Sequence, residues 1–329
     1  MLIFLVRRLA QAAVVVFAIA LISFVMFRYV GDPVAAMARE DASVTERAEL
    51  RASLGLDKPV IVQFGAFVER LAEGDLGISY RNQRPVAQMI AERLPATLEL
   101  VLVATLLSLA IGIPLGVLTA VNRNGWLATT VQSVSLVGIS VPTFVTGIML
   151  ILIFSVNLRW LPSFGRGDTV DLGWWTTGLL TLSGLKALIL PSLTLALYQM
   201  TLIMRLVRAE MIEILASDYI RFARARGLPQ RSIIYRLALK NGLMPVITIT
   251  GMQIGGLIAF AVVTETVFQW PGLGLLFLQA LGSTDVPVIS AFLLLAAAFF
   301  VAINFIVDVL YLVVDPRLRA GGGVPGLAR

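Results

Sequence analysis

Long apolar stretches alternate with short polar ones along the chain. Six apolar blocks run roughly 9–28, 98–121, 131–156, 187–207, 243–264 and 288–313. Each has about the 20 residues that an α-helix needs to cross roughly 30 Å of hydrocarbon. The pattern predicts an all-α integral membrane protein with six transmembrane helices. Pro142 is expected to kink the third, and Pro191 stands near the start of the fourth. The first block follows Arg7 and Arg8, exceeds a signal-peptide core in length and lacks a clean small-x-small cleavage site. It is expected to stay as an uncleaved helix.

Segment 31–95 is long and mixed in charge, with helical periodicity near 43–54 and 60–72. It is expected to form a small cap. Gly31, Asp32 and Pro33 mark the end of the first helix. The chain therefore divides into a first helix (1–30), an extracytoplasmic insertion (31–95), a core of five helices (96–315) holding a cytoplasmic loop at 209–242, and a cytoplasmic tail (316–329). No internal repeat is evident.

Basic residues set the orientation. Eight of them lie between Arg205 and Lys240, with Arg7, Arg8 and Arg123 on the same predicted side, and Arg317, Arg319 and Arg329 in the tail. The short loops opposite hold only Arg159, Arg166 and Lys186. Both termini are expected in the cytoplasm, with 205–242 inside and 31–95 and 269–287 outside. Composition agrees: 58% of the 329 residues are hydrophobic and only 14% charged, where a soluble domain carries about a quarter. The net charge of +6 is read first as orientation, and no nucleic-acid partner is called. With no Cys and no His, the chain alone builds no disulfide, no thiolate or HExxH metal site and no Ser–His catalytic pair. No GxxxxGK[ST] phosphate loop occurs, so ATP is not bound in that mode.

The loop 205–242 is the richest in signals. Ser217 or Asp218 can cap a helix, Gly227 can end it in the left-handed conformation, and Pro229 suits the start of a second helix. Ile233, Ile234 and Leu237 give that helix an apolar face, and Asn241, Gly242 and Pro245 are expected to break it ahead of the fifth span. So short a helix is marginal alone and needs a surface, either a partner protein or anionic lipid. Other signals admit two readings each. Gly112 with Gly116, and Gly251 with Gly255, allow close helix packing or line a pathway. Thr248, Thr250 and Gln253 line a substrate path or satisfy backbone groups. Glu265 and Asp308 are functional carboxylates or structural ion-pair partners. Trp160, Trp174, Trp175 and Trp270 fit an aromatic belt better than ligand stacking. Glu265 to Gly274 should bend, since Pro271, Gly272 and Gly274 cannot sustain a helix.

The run Tyr219 to Leu228, followed by Arg236 to Pro245, resembles the cytoplasmic coupling loop of binding-protein-dependent ABC permeases, dipeptide/oligopeptide/nickel branch. Arg221-Phe222-Ala223 stands where the wider family has Glu-Ala-Ala, Gly227 matches, and Lys240 replaces a proline. Gly31-Asp32-Pro33, Leu54 to Pro59, Gly74 to Gly77, Glu265 to Gly274, Asp308 to Tyr311 and Asp315 to Arg317 extend the resemblance along nearly the whole chain. It implies a type I ABC importer transmembrane domain, the first of two permease subunits, in a bacterial or archaeal cytoplasmic membrane. It also implies a homologous second permease, two cytoplasmic ATPase subunits that bind ATP and Mg, and an extracytoplasmic binding protein. This chain would bind no cofactor. Asp218, Arg221, Phe222, Ala223, Arg224, Gly227 and Leu228 are the implied ATPase-coupling residues. Phe222, Ala223 and Leu228 would enter a groove with Arg221 and Arg224 at its rim, while Phe268 and Trp270 would pack near the binding-protein dock or cavity roof. Peptides are the commonest cargo of the branch; nickel, glutathione, opines and sugars are its alternatives. A secondary transporter would carry charges at the span centres, and those centres are nearly charge-free.

Overall fold

The computed structural model describes residues 2–29, 34, 43–53 and 55–314. Twelve α-helices are labelled here in chain order: α1 Leu2–Tyr29, α2 Val44–Ser53, α3 Val60–Ala72, α4 Val86–Val121, α5 Trp126–Ser140 and α6 Thr143–Leu150, then α7 Leu182–Ala216, α8 Asp218–Ala225, α9 Gln230–Ser232, α10 Leu239–Val267, α11 Leu273–Gly282 and α12 Val286–Val314. Two π-helical segments, Ile151–Asn157 and Ile233–Ala238, continue α6 and join α9 to α10. Among the described residues, the departures from all-α are a short hairpin, β1 Val170–Asp171 antiparallel to β2 Thr176–Thr177, and an isolated antiparallel bridge between Ile78 and Pro85. The described residues form two compact units, one within Met1–Thr97 and Pro271–Val301, the other within Leu98–Trp270 and Ala302–Arg329.

Among the described residues, α4, α7 and Val286–Val307 of α12 are each long and apolar enough to cross a membrane. Two bent pairs bring the number to five if each counts as one span. The third apolar block is more than kinked: Trp126–Ser140 and Thr143–Asn157 meet at 109°. Pro142 sits extended at the break (φ −56°, ψ 140°) and cannot continue α5. Pro191, by contrast, lies inside an unbroken α7, because the helix starts earlier than its apolar block. The Thr181 hydroxyl accepts from the Gly184 N–H and caps that start.

In the first unit, α1 and α3 pack through aromatic edges, with Phe24 5.3 Å from Phe64 and Phe17 5.7 Å from it. Gln63 ties the pair together. It accepts from Arg28 (2.8 Å) and donates to the Leu56 and Lys58 carbonyls (3.1 and 2.7 Å). Helix α2 opens with a capping box: Ser43 Oγ accepts from the Glu46 N–H, and Glu46 Oε2 accepts from the Ser43 N–H at 2.7 Å. That backbone bond holds the Glu46 carboxyl below its ordinary range. Asp285 accepts from the Ser79 hydroxyl at 2.5 Å and from the Tyr80 and Arg81 amides, fixing the turn at 79–81.

In the second unit, glycine sets the distance between α4 and α7. A Cβ at Gly116 would lie 2.6 Å from Val207 and 2.8 Å from the Met204 carbonyl. One at Gly112 would lie 2.9 Å from the Met200 carbonyl. The packing reading of this GxxxG pair therefore holds. Gly251 does the same against Val307 of α12. An ion pair missed in the sequence stitches the hairpin loop to α4. Arg166 donates to Glu99 at 2.7 Å, with side-chain exposures of 7% and 3%. The Trp175 indole and the Gly178 amide also donate to Glu99, and Arg166 donates to Thr176.

Two outcomes follow from this packing. Gly116→Val should cost about 1–3 kcal/mol through overpacking, read as a lower melting temperature in detergent. Glu99→Ala, which strands a buried guanidinium, should cost about 3–5 kcal/mol, and replacing both partners with apolar residues should recover much of that loss.

Candidate functional site

The candidate site is the basic loop between α7 and α10. Helix α7 ends at Ala216, and Ser217 turns extended (φ −69°, ψ 154°). Its hydroxyl donates back to the Ile214 carbonyl (2.7 Å), closing α7 and making no cap bond to α8. Ser217 thus holds the N-cap position without the expected bond. Asp218 instead supplies a carboxylate in the first turn of α8, where the helix dipole favours it. It accepts from Arg221 at 3.2 Å, an exposed pair worth little.

The other end of α8 is as expected. Gly227 is left-handed at φ +76°. Its N–H donates to the Arg224 carbonyl (2.9 Å), and the Leu228 N–H reaches back to the Ala223 carbonyl (3.3 Å). These two bonds are a Schellman motif. Nothing lies within 4 Å of a Cβ built at Gly227, so backbone conformation, not space, selects glycine there. Pro229 (φ −65°, ψ 143°) then stops one helix and starts the next.

Beyond Pro229 one expectation fails. Asn241, Gly242 and Pro245 do not break the chain: α9, the second π segment and α10 run on as one helical path. Local π geometry and neighbouring helices re-satisfy the backbone around a proline. A Cβ at Gly242 would sit 3.4–4.0 Å from Ile214, Glu210 and Met211, so the glycine lets α10 lie close on α7. The bend in α10 comes later, where Gln230–Leu257 and Ala261–Val267 meet at 51°.

One face of α8 is core. Ile220 is fully buried in a cluster with Val207, Met211 and Leu215 of α7 and Ile233 and Ala238 of the π segment. Ala223 is also buried, at 4% exposure, so it lies on the inner face of the loop and not on the outer one assigned to it. The i, i+3 spacing from Ile220 explains this. The outer face presents Tyr219, Phe222 (63% exposed), Leu228 and Tyr235. Arg221, Arg224, Arg226, Arg231 and Arg236 are exposed around it, and Arg226 stands 5.7 Å over the Phe222 ring. Asp218 is the only acidic residue between Ser217 and Lys240. An apolar centre with a basic rim, on a helix fixed to two long helices, suits a surface of acidic edge and apolar floor.

The pathway candidates are not gathered at one point. Thr248 bonds its own helix through the Met244 carbonyl (3.0 Å), the backbone reading. Thr250 is buried, Gln253 is half-buried, and Glu265 is wholly buried about 25 Å further along the helix from Thr248. The segment after Glu265 bends as expected. Helix α10 ends at Val267, Gln269 is left-handed (φ 46°), and the Trp270 N–H donates to the Glu265 carbonyl at 2.8 Å. Gln269 therefore fills a Schellman position usually held by glycine, at a cost of about 1–2 kcal/mol. Phe268 and Trp270 are both 1% exposed, so their side chains are packed in the core of this unit. Trp175 is likewise engaged with Glu99, which leaves Trp160 and Trp174 as the exposed tryptophans of the four. Gly31 to Pro33, Leu54, the tail from Asp315 and the side chains of Asp308 and Tyr311 lie outside the described residues. Among the described residues no group of three His, Cys, Asp or Glu side chains could hold a metal ion.

Known proteins agree with this architecture. Residues 112–320 match the family model "Binding-protein-dependent transport system inner membrane component", and residues 1–101 match the corresponding N-terminal model. A Brucella abortus protein described as a peptide transport system permease is 40% identical over 318 residues, 96% of this chain and 98% of its own. The dipeptide transport system permease protein DppB of Alkalihalophilus pseudofirmus is 38% identical over 332 residues, 97% and 100% of the two chains. A chain of the MetNI methionine ABC transporter, solved in inward-facing conformations, superposes with a TM-score of 0.56 at 21% identity. It covers 69% of this chain and 97% of its own, and shares the type I importer fold. With family matches along nearly its whole length, this chain belongs to the binding-protein-dependent transport system inner membrane components, the multi-pass permeases of ABC importers.

Proposed function

We propose that this chain imports di- or oligopeptides as one of two permease subunits. The relatives named above are peptide and dipeptide permeases that match over nearly the full chain, which supports that cargo. The chain crosses the cytoplasmic membrane of a bacterium or archaeon six times, counting α1 and each bent pair as spans. Both termini and the loop 205–242 lie inside, on the evidence of the basic residues, and 31–95 and 269–287 lie outside. An extracytoplasmic binding protein delivers the peptide, a homologous permease forms the other half of the path, and two cytoplasmic ATPases bind ATP and Mg.

The observation that carries this reading is the rigid attachment of α8. Its inner face, Ile220 and Ala223, is buried, and Ile220 packs with side chains from α7 and the π segment that leads into α10. A push on the outer face therefore moves two long helices together instead of deforming the loop. Phe222, Leu228 and Tyr219 enter a groove on an ATPase subunit, and Arg221 and Arg224 meet its acidic edge. Closure of the ATPases on ATP draws α8 with them and switches the cavity between outward and inward access.

Gly227→Val should strain the left-handed turn by about 1 kcal/mol or more, leaving membrane insertion intact and uncoupling dipeptide uptake from ATP hydrolysis in reconstituted vesicles. Phe222→Asp should weaken copurification of the ATPase subunits, whereas Ala223→Asp should destabilise the permease itself by burying a charge on the inner face of α8. Wild-type uptake in both Gly227→Val and Phe222→Asp would remove the coupling role from this loop. A reporter fused near Gly227 should read cytoplasmic, and one inserted near Gly74 extracytoplasmic; the reverse would overturn the topology.

A further inference from the structure

Four threonine hydroxyls on α7 and α10 follow one rule. Thr194, Thr201, Thr248 and Thr266 each donate to the carbonyl four residues earlier, at 2.8–3.0 Å. Four polar side chains on the same two helices break it. Ser192 and Gln199 on α7, and Thr250 and Thr264 on α10, are 0%, 2%, 5% and 1% exposed. Among the described residues, the three hydroxyls and both ends of the Gln199 carboxamide have no hydrogen-bond partner. Each such group in an apolar surrounding loses its water without gaining a bond, and a carboxamide carries a donor and an acceptor to satisfy.

Register relates them. Gly242 beside Met211 and Ile214, and Thr194 with Val267 beside Gly147, show α7 and α10 running antiparallel. Thr264 is then level with the turn of α7 between Thr194 and Gln199, Ser192 lies beyond it toward the start of α7, and Thr250 lies further along the seam past Gln199. On the α4 side, Ser108, one turn from Gly112 toward the level of Gln199, donates to the Thr105 carbonyl (2.8 Å) and makes no bond to Gln199. Helix α10 is the irregular member of the pair, carrying the π segment at its start, Pro245 and the 51° bend.

We propose that Gln199 is a substrate-contacting residue of the transport path, buried in the state seen here and wetted when the part of α10 beyond its 51° bend reseats against α7. Its carboxamide then hydrogen-bonds a main-chain amide of the passing peptide, with Ser192, Thr250 and Thr264 hydrated along the same seam. A carboxamide complements the N–H and C=O that every peptide bond presents, whatever the side chains. The inference rests on the peptide-permease reading and adds to it the residue that meets the cargo.

The chain contains no cysteine, so Gln199→Cys introduces a single thiol into this subunit. In the assembled importer, its rate of reaction with a charged, membrane-impermeant methanethiosulfonate should differ at least about tenfold between nucleotide-free and vanadate-trapped complexes, read above the unsubstituted background. A saturating dipeptide should slow the faster of the two. Gln199→Leu should raise the melting temperature of the complex, because it removes unpaired buried polar atoms, and should raise the KM for dipeptide uptake by up to about tenfold. A purely structural glutamine, or one holding only an internal water, gives no labelling in either state while a control Phe222→Cys reacts, and leaves KM unchanged; either result overturns the proposal. Failure of ATPase subunits to copurify with the unsubstituted chain would defeat the permease reading and this one with it. An assembled complex that fails the labelling test defeats this one alone.

Discussion

Hydrocarbon offers a peptide group no hydrogen-bond partner, and each unpaired N–H or C=O there costs several kcal/mol. The chain meets this demand by keeping its long apolar stretches helical, even past residues that end helices in water. Pro191 stays inside α7 and Pro245 inside α10. Where the ladder slips, it passes into π segments at Ile151–Asn157 and Ile233–Ala238 rather than into open loop. The sharper of the two bends among the described residues is at Pro142, and there the helix restarts on the next residue.

The same demand explains why the ends of α7 and α10 next to α8 pack with it into one cluster. A helix of eight residues does not persist alone. Helix α8 persists because Ile220 completes a cluster begun by α7 and finished by the π segment, because Ala223 on the same face is also buried, and because its last carbonyls are closed by the Gly227 turn. The consequence for function is mechanical. Under the proposed function, a short lever whose inner face is packed and whose outer face is apolar with a basic rim would pass displacement on to the helices behind it. The Gly116 and Gly112 contacts bring α4 to close range of α7.

Much of the coupling loop was legible in the sequence, because its signals are local. A left-handed turn needs glycine, Pro229 opens a helix, and an eight-residue amphipathic segment leaves few choices of face. The Ala223 assignment shows the limit. Residues three apart on a helix share a face, so once Ile220 is core Ala223 is too, but which of Ile220 and Phe222 is core depends on what α7 presents. Phe268 and Trp270 show the same thing: the bend at 268–272 is written in Pro271 and Gly272, while the burial of the aromatic pair follows from how the returning chain packs, including the Gly165 N–H on the Phe268 carbonyl.

Composition and periodicity by themselves determined that this is a helical membrane protein with a basic helical loop closed by glycine and proline. These are properties of single segments against water or lipid, and the energies involved add along one helix. Tertiary structure alone decided that Glu99 and Arg166 meet across 67 residues, that Gln63 ties three segments, that Pro142 turns the chain through 109°, and that Gln199 is enclosed without a partner. Each of these depends on which distant side chain arrives opposite, and periodicity carries no information about residues that are neighbours only after the helices have packed.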